Sequence, residues 1–296
     1  MILQYKVTDG KFHNLKELLK VHYQISDNLL TKLKKNKKIL LNSEITYLDH
    51  KLNLNDFIEI NLDFEEESES IVSNPTIDLK IIFEDDSLLI VNKQPGIPIH
   101  PSINHFEDSL SNAVQYHFNN INLKRKIRPV NRLDKDTSGI VIFAKNEYVQ
   151  ELLIRQMKSN IFKKEYLAIL TGNLENKYGT TEAPIARKSN SIIEREINEL
   201  GSNAITHYEL IKNFNYKDIS LSFVKFFLET GRTHQIRVHS KYIGHPILGD
   251  SLYGEASSII SRQALHANKV SFMHPITKKE MQFEVLPPND MLSILK

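Results

Sequence analysis

The sequence predicts a strand-rich α+β protein built in two parts. Alternating apolar and polar residues over 163–172 and an apolar run over 221–228 are typical of β-strands. Ser109 and Asn146 each precede an amphipathic pattern and can cap a helix. A length of 296 residues is enough for about two domains. The patterns divide the chain into a small N-terminal module, an acidic linker and a main domain, over residues 1–62, 63–77 and 78–296.

The composition narrows the classes of function. The chain is 41% hydrophobic and 25% charged and contains no cysteine, which excludes disulfides, thiolate metal sites and cysteine nucleophiles. The first residues lack the apolar core of a signal peptide, and no run of residues is long enough to span a membrane, so a cytoplasmic location is expected. Neither a G-x-x-x-x-G-K loop nor G-x-G-x-x-G occurs, which argues against ATP- or NAD-driven chemistry.

The N-terminal module is predicted to be basic, with two short helices and a small sheet. Apolar residues at helical spacing predict a first helix over 12–22, and Ser26 is expected to cap a second. Strand patterns follow at 39–41 and 52–60. Although the whole chain carries only +2, residues 1–62 carry +3. A lysine cluster lies between the second helix and the next strand and predicts salt-sensitive RNA contact: Lys34, Lys35, Lys37 and Lys38.

The segment 129–139 is where we place the chemistry. It combines Arg132, Asp134, Asp136, two hydroxyls and Gly139 in one turn, directly before an apolar strand. Gly139 allows a backbone conformation closed to other residues, and the hydroxyls can stiffen the loop. Asp134 would then be a carboxylate on a rigid support. The alternatives are a surface turn with a salt bridge, or Asp136 as the central carboxylate, which in an extended turn faces away from Asp134.

A second polar segment follows the strand over 221–228. Gly231 marks a turn, and Thr233 is expected to cap a helix that reaches Ile243 and ends at Gly244. A helix N-terminus beside Arg232 is a suitable site for an anion. No histidine pair with ligand spacing and a carboxylate base occurs, so no metal site is predicted.

Four segments resemble the RluA family of RNA pseudouridine synthases, in the order in which that family has them. They lie within residues 79–290 and are Val91–Gly96, Asn131–Gly139, Lys164–Gly172, and Leu228–His239 together with Gly244–Asp250. The resemblance implies a mixed, mostly antiparallel central sheet flanked by helices. The preceding residues resemble, more loosely, the S-four-type RNA-binding module that many RNA-modifying enzymes carry. One departure is Asn131, where the family usually has histidine, and it is expected to alter loop packing more than activity.

The resemblance also implies roles for individual residues. Asp134 acts at the sugar C1′, Arg237 pairs with it, and Tyr166 stacks on the displaced base; Arg232 is the weaker candidate for the pairing and is better suited to phosphate. Arg132 opens the stack or grips the backbone. The expected reaction isomerises uridine to pseudouridine in RNA, without a cofactor.

The expected partner is RNA, with large-subunit ribosomal RNA favoured by the N-terminal module, and the expected state is a monomer. Transfer RNA as the substrate and a non-catalytic role in ribosome assembly stay as alternatives. A carbohydrate glycosidase would need paired acidic motifs, and it would not explain the basic N-terminal module.

Overall fold

A computed structural model describes residues 1–63 and 71–296. Residues 64–70 of the predicted acidic linker lie outside the described residues, so the division into three parts stays a prediction. None of the helices in the described ranges has the length and apolar character needed to cross a membrane.

The helices and strands are as follows. The helices are α1 (Leu15–Glu17, continued by a π-helical turn over Leu18–His22), α2 (Asp27–Lys35), α3 (Leu110–Asn120), α4 (Glu147–Lys158), α5 (Gln235–Tyr242) and α6 (Asn289–Leu295). The strands are β1 (Ile2–Lys6), β2 (Ile39–Leu41), β3 (Glu44–Ile45), β4 (Phe57–Asn61), β5 (Ile81–Glu84), β6 (Leu88–Lys93), β7 (Ser138–Ala144), β8 (Lys163–Thr171), β9 (Tyr178–Glu182), β10 (Ile185–Arg187), β11 (Arg195–Ile197), β12 (Ile205–Tyr216), β13 (Ile219–Leu228), β14 (Leu265–Met273) and β15 (Glu280–Glu284).

The N-terminal residues form a four-stranded antiparallel sheet, β1-β4-β2-β3, with α1 and α2 packed into its core. Ser26 caps α2 as predicted, accepting a hydrogen bond from the Leu29 amide. The first helix was predicted too early, because it begins only at Leu15. The side chain of Asn14 caps it there, and Phe12 is buried outside the helix.

The main sheet has the strand order β5-β6-β7-β14-β8-β13-β12-β9, with β15 paired to β14. Every pairing is antiparallel except that between β7 and β14. The predicted mixed, mostly antiparallel sheet is therefore confirmed.

Helices cover both faces of this sheet, as alternation along β7 shows. Val141 and Phe143 belong to one apolar cluster, together with α3 and α6, whereas Ile140 and Ile142 belong to another, together with α4. Because successive side chains of a strand point to opposite faces, β7 is buried on both sides. A rigid strand thus follows directly after the polar turn.

The N-terminal module rests on α4. Tyr148 and Leu152 of this helix are buried in the apolar cluster of the module, and the Tyr148 hydroxyl donates to the carbonyl of Tyr23 at 2.9 Å. Lys32 of α2 forms an ion pair with Glu147. The module therefore shares a core with the main domain instead of lying apart from it.

Candidate functional site

The segment before β7 is a tight turn in which the Thr137 amide donates to the Asp134 carbonyl at 3.1 Å. The turn is therefore not extended, and the side-chain alternation of an extended chain, which would make Asp136 face away from Asp134, does not apply here. Asp134 lines a cleft on the surface, and Asp136 is not among its lining residues. The carbonyl of Asp136 instead accepts a hydrogen bond from Arg262 at 3.0 Å.

Two residues fix this segment to the sheet. The side chain of Asn131 is buried. Its Nδ2 donates to the backbone carbonyl of Ile140, and its Oδ1 accepts from the backbone amide of Ile142, each at 2.9 Å. Gly139 has a φ of +116°, and a Cβ there would lie 2.2 Å from the carbonyl oxygen of Ala267. A side chain at position 139 would thus collide with β14, so glycine is required by close approach as well as by φ. Asn131, the departure from the family pattern, anchors the turn.

Lys93 also anchors this turn through backbone carbonyls. Its side chain is 1% exposed, and its ammonium donates to the carbonyls of Gln94, Ile97 and Lys135 at 2.8 to 2.9 Å. Burial lowers the pKa of Lys93 to about 7, while the charges of Asp136 and Asp134 oppose that shift. Because Lys135 follows Asp134 directly, the three bonds fix the backbone beside the candidate carboxylate.

His266 anchors the other end of the turn. Its Nδ1 lies 2.9 Å from the Ser138 hydroxyl and its Nε2 lies 3.2 Å from the Val285 carbonyl, so the neutral ring satisfies both contacts. Burial lowers its pKa to about 4.

We expect the stability of the fold to fall as the pH drops from about 6.5 to about 4, because the unfolded chain takes up a proton on this imidazole before the folded chain does. His266 should contribute about 3 kcal/mol to that loss. Urea unfolding at about pH 7 and pH 4 should therefore show a smaller loss for His266→Gln than for the unchanged protein. His50→Gln, at an exposed position, should behave as the unchanged protein does; an identical loss in His266→Gln would contradict the prediction.

Arg237 joins two carboxylates. Its Nε and Nη2 donate to the two oxygens of Asp250 at 2.8 and 2.7 Å, and its Nη1 donates to Asp134 at 3.0 Å. Burial opposes the charge, but the hydrogen bonds and charges of Asp250 and Asp134 hold the pKa of Arg237 above its usual value. The structure thus brings Asp134 together with Arg237, the pairing that the resemblance implied. Asp250 fixes the guanidinium from behind.

Tyr166 reaches the same place through the register of the sheet. Ala267 of β14 pairs with Gly139 on one side and with Tyr166 of β8 on the other, so these residues form one row across three strands. Tyr166 is 6% exposed, and its pKa is raised by burial and then by the charge of Asp134. The row delivers an aromatic ring to the cleft that Asp134 lines.

The cleft has a volume of about 520 Å³, within the range of about 300–1,000 Å³ usual for ligand sites. Its lining includes Asp134, Tyr166 and Lys164. Arg237 lines a smaller recess of about 60 Å³ whose wall also includes Asp134 and Tyr166. An aromatic face, an anchored carboxylate and an opening between them can hold a planar ring next to a carboxylate oxygen.

The helix α5 begins one residue later than predicted. His234, not Thr233, is its N-cap residue; it has a left-handed φ of 59° and makes no capping hydrogen bond with its side chain. The side chain of His234 instead lies toward the cleft, with Nε2 3.8 Å from Asp134.

The predicted RNA-binding residues lie at two places. Arg132 and Arg232 are exposed and line the cleft, and Nε of Arg232 donates to the carbonyl of Asn203 at 2.9 Å. The predicted lysine cluster lies at the C-terminal end of α2 and just beyond it, with three exposed side chains and a partly buried one at Lys38.

Sequence reasoning missed the supports of the site. The segments that resemble the family contain Asp250 and Lys93, but neither residue was predicted to support the site. The signals were an acid shortly after the apolar residues 247–248, and a lysine at the end of an apolar strand. Within 1–63 and 71–296, no group of three or more histidine, cysteine or acidic side chains is placed to hold a metal ion.

Comparison with known proteins places this geometry in context. The family described as RNA pseudouridylate synthase matches residues 87–242, which include the turn, Tyr166 and Arg237. The Bacillus subtilis protein named uncharacterized RNA pseudouridine synthase YjbO is 37% identical over 92% of this chain and 95% of its own length. The ribosomal large subunit pseudouridine synthase D of Buchnera aphidicola subsp. Schizaphis graminum is 38% identical over 74% of this chain and 73% of its own.

Solved structures agree with the sequence comparison. The human protein RNA Pseudouridylate Synthase Domain Containing 1 superposes with a TM-score of 0.59 at 27% identity, over 71% of this chain and 84% of its own. The similarity therefore extends from the sequence to the arrangement of the sheet.

Proposed function

This chain belongs to the RNA pseudouridine synthase family, and on that premise we propose that it isomerises uridines of large-subunit ribosomal RNA through Asp134. The observation that carries the proposal is the Asp134 carboxylate, bound by Arg237 at 3.0 Å in a cleft that Tyr166 also lines. The ribosomal target is supported by relatives named ribosomal large subunit pseudouridine synthase D.

The reaction breaks the bond between C1′ and N1 of a uridine, turns the uracil, and rejoins it to C1′ through C5; C5 loses its proton and N1 takes one up, so that atoms balance. The target base must leave the RNA stack to reach the cleft. Positive character develops at C1′ as the bond breaks, and a fixed carboxylate can stabilise it, attack it or remove a proton afterwards. Asp134 has the position for each of these steps, because it lines the cleft and its side chain is 25% exposed.

Arg237 orients this carboxylate. A charge-assisted hydrogen bond between a guanidinium and a carboxylate is short and strong. Nε and Nη2 bind Asp250, whose side chain is fully buried, and because the guanidinium is planar these contacts also fix Nη1 where it donates to Asp134. The reacting oxygen is thereby held in one place before substrate arrives, which lowers the barrier that orientation would otherwise impose.

Tyr166 and the two cleft arginines complete the proposed substrate site. The ring of Tyr166 offers a face on which the displaced uracil can stack. Arg132 has no hydrogen-bond or ion-pair partner among residues 1–63 and 71–296, so it is available to the RNA backbone or to the gap that the base leaves behind. Arg232 keeps part of its guanidinium exposed just before α5, and the N-terminus of a helix favours a phosphate.

The N-terminal module is proposed to bind RNA that flanks the target. One helix, α4, connects it to the cleft: Tyr148 and Leu152 lie in the module's core, and Met157 lines the cleft. RNA held by the lysines at the end of α2 would therefore be held at a fixed position relative to Asp134. A cytoplasmic location and a monomeric state stay predictions from the sequence.

We expect the joint substitution of Lys34, Lys35, Lys37 and Lys38 by glutamine to weaken RNA binding and flatten its salt dependence. Each lost phosphate contact should lower the slope of log K against log salt by about 0.7–0.9, so loss of all four contacts lowers it by about 3–4. Fluorescence anisotropy with a ribosomal RNA fragment, over a series of salt concentrations, measures the slope. Substitution is preferable to deleting the module, because deletion would expose the apolar face of α4.

The matched control removes the same charge elsewhere on the surface. It replaces four exposed lysines outside the cluster by glutamine: Lys51, Lys80, Lys217 and Lys279. An equal loss of slope in both sets would mean that the effect comes from net charge and that the cluster is not an RNA contact.

Tritium release from RNA labelled at C5 of uridine tests the proposed function. The protein should release tritium from deproteinised large-subunit ribosomal RNA, and a deletion strain should lack particular pseudouridines in that RNA. Tritium release from transfer RNA but not from ribosomal RNA would show that transfer RNA is the substrate. Binding without release from either RNA would favour a non-catalytic assembly role and overturn the proposal.

A further inference from the structure

His234 is held in an unusual position beside the proposed catalytic carboxylate. Its backbone has a φ of 59°, a conformation that costs free energy for residues other than glycine, although asparagine, aspartate and histidine adopt it more readily than most. Its side chain is only 11% exposed, and its ring makes one hydrogen bond and one close approach to charge. The left-handed cap turns the imidazole away from α5 and toward Asp134.

The hydrogen bonds around Tyr253 determine which nitrogen of this ring carries the proton. The backbone amide of Arg195 must donate, and it donates to the Tyr253 hydroxyl at 2.8 Å. Among the described residues, the only other partner of this hydroxyl is Nδ1 of His234, 2.8 Å away, so its own proton is satisfied by donation to Nδ1. A neutral imidazole that accepts at Nδ1 carries its proton on Nε2.

Nε2 is the nitrogen that faces Asp134, at 3.8 Å from Oδ2, the same oxygen that Arg237 binds. The tautomer set by Tyr253 thus presents an N–H to the carboxylate. The charged groups near the ring are Asp134, Asp250, Arg237 and Arg195; burial lowers the pKa of His234, the two arginines add to this, and the two carboxylates oppose it. The ring is thereby kept in the neutral form that the hydrogen bonds require.

Tyr253 contacts the second partner of Asp134 as well. The guanidinium of Arg237 lies over the Tyr253 ring at 5.0 Å from its centroid, and the Tyr253 amide donates to Asp250 at 3.2 Å. Arg195, which fixes the hydroxyl, begins β11 in the β10–β11 hairpin. One tyrosine therefore touches the hairpin, the histidine and the arginine that surround the carboxylate.

We propose that His234 is a positioning residue for the reaction, acting as a second hydrogen-bond donor that holds Asp134 in its reactive orientation, with Tyr253 and the Arg195 amide fixing its tautomer. The inference rests on the proposed function of Asp134. At 3.8 Å the N–H is not yet bonded to the carboxylate, and a shift of about 1 Å in either side chain when the uridine binds would close the bond. In this way the β10–β11 hairpin acts on Asp134 indirectly, through the Arg195 amide, Tyr253 and His234.

The kinetic test compares two amides at position 234. His234→Asn tolerates the left-handed backbone but is too short to place a donor where Nε2 lies, so kcat should fall about 10-fold with little change in KM. His234→Gln carries an N–H at about the reach of Nε2 and should recover most of that loss. Unchanged kcat in His234→Asn would overturn the proposal, and so would an equal loss in both variants that parallels a lower Tm, because that is the result of a purely structural role.

Tyr253→Phe tests the tautomer. The ¹⁵N chemical shifts of His234 in the unchanged protein should report a protonated Nε2 and an unprotonated Nδ1. Removing the Tyr253 hydroxyl should convert this to a mixture and lower kcat about 10-fold. Tyr242→Phe, which removes a hydroxyl from a 61% exposed residue at the end of α5, should alter neither quantity. A protonated Nδ1 in the unchanged protein would overturn the assignment.

The two kinds of failure are separable. If the unchanged protein releases no tritium from ribosomal RNA, the proposed function fails, whatever the ¹⁵N shifts show. If the unchanged protein is active and His234→Asn equals it, only the role of His234 fails.

Discussion

Asp134→Asn is expected to lower turnover by about 10⁴-fold or more, the scale seen when a central catalytic side chain is removed. The amide has nearly the shape of the carboxylate but can neither neutralise positive character at C1′ nor take up a proton. The substitution replaces one carboxylate oxygen by an NH2 donor and removes the negative charge, so the hydrogen bond from Nη1 of Arg237 is weaker. Single-turnover tritium release measures the loss.

The fold should survive this substitution, since the turn is held by groups other than the carboxylate. Lys93 binds the carbonyl of Lys135, Asn131 binds two backbone groups of β7, and Gly139 packs on Ala267. RNA affinity and Tm should therefore stay near those of the unchanged protein. Asp136→Asn, two residues along the same turn, is the matched control and should keep most of the activity. Full turnover in Asp134→Asn would reject the assignment.

Arg237→Lys is expected to lose activity by at least about 100-fold and to lower the free energy of unfolding by about 3 kcal/mol. One ammonium cannot make both contacts to Asp250 and also reach Asp134, as the planar guanidinium does with three nitrogens. Asp250, whose side chain is fully buried, would keep only one of its two hydrogen bonds to residue 237. Chemical unfolding and single-turnover kinetics measure the two effects separately.

Arg232→Lys is the comparison that isolates position 237. Its guanidinium is exposed and binds only the Asn203 carbonyl among the described parts of the chain, so the substitution should leave stability unchanged and alter RNA affinity modestly. If Arg237→Lys turned over normally, the partner of Asp134 would have to be sought elsewhere, and Arg232 would be the next arginine to test.

Local patterns in the sequence were sufficient for most elements because each depends on neighbouring residues. Ser26, Ser109 and Asn146 precede helices that begin one residue later, since a cap acts within its own turn. The prediction of α5 from Thr233 was wrong by one residue, because His234 takes a left-handed conformation that propensity does not favour. In that conformation the imidazole meets Tyr253 and lies near Asp134, and both residues are distant in sequence.

The sequence by itself determined the family and the strand-rich fold class, and it pointed to three residues that the structure brings together, because Asp134, Tyr166 and Arg237 occur in segments that resemble the family. Only the tertiary structure decided what holds them. The burial of Lys93 and Asp250, the docking of the N-terminal module on α4 and the contact of His234 with Tyr253 all follow from groups that meet across strands and loops. A buried polar group needs hydrogen-bond partners, and these come from residues that the chain brings together only when it folds.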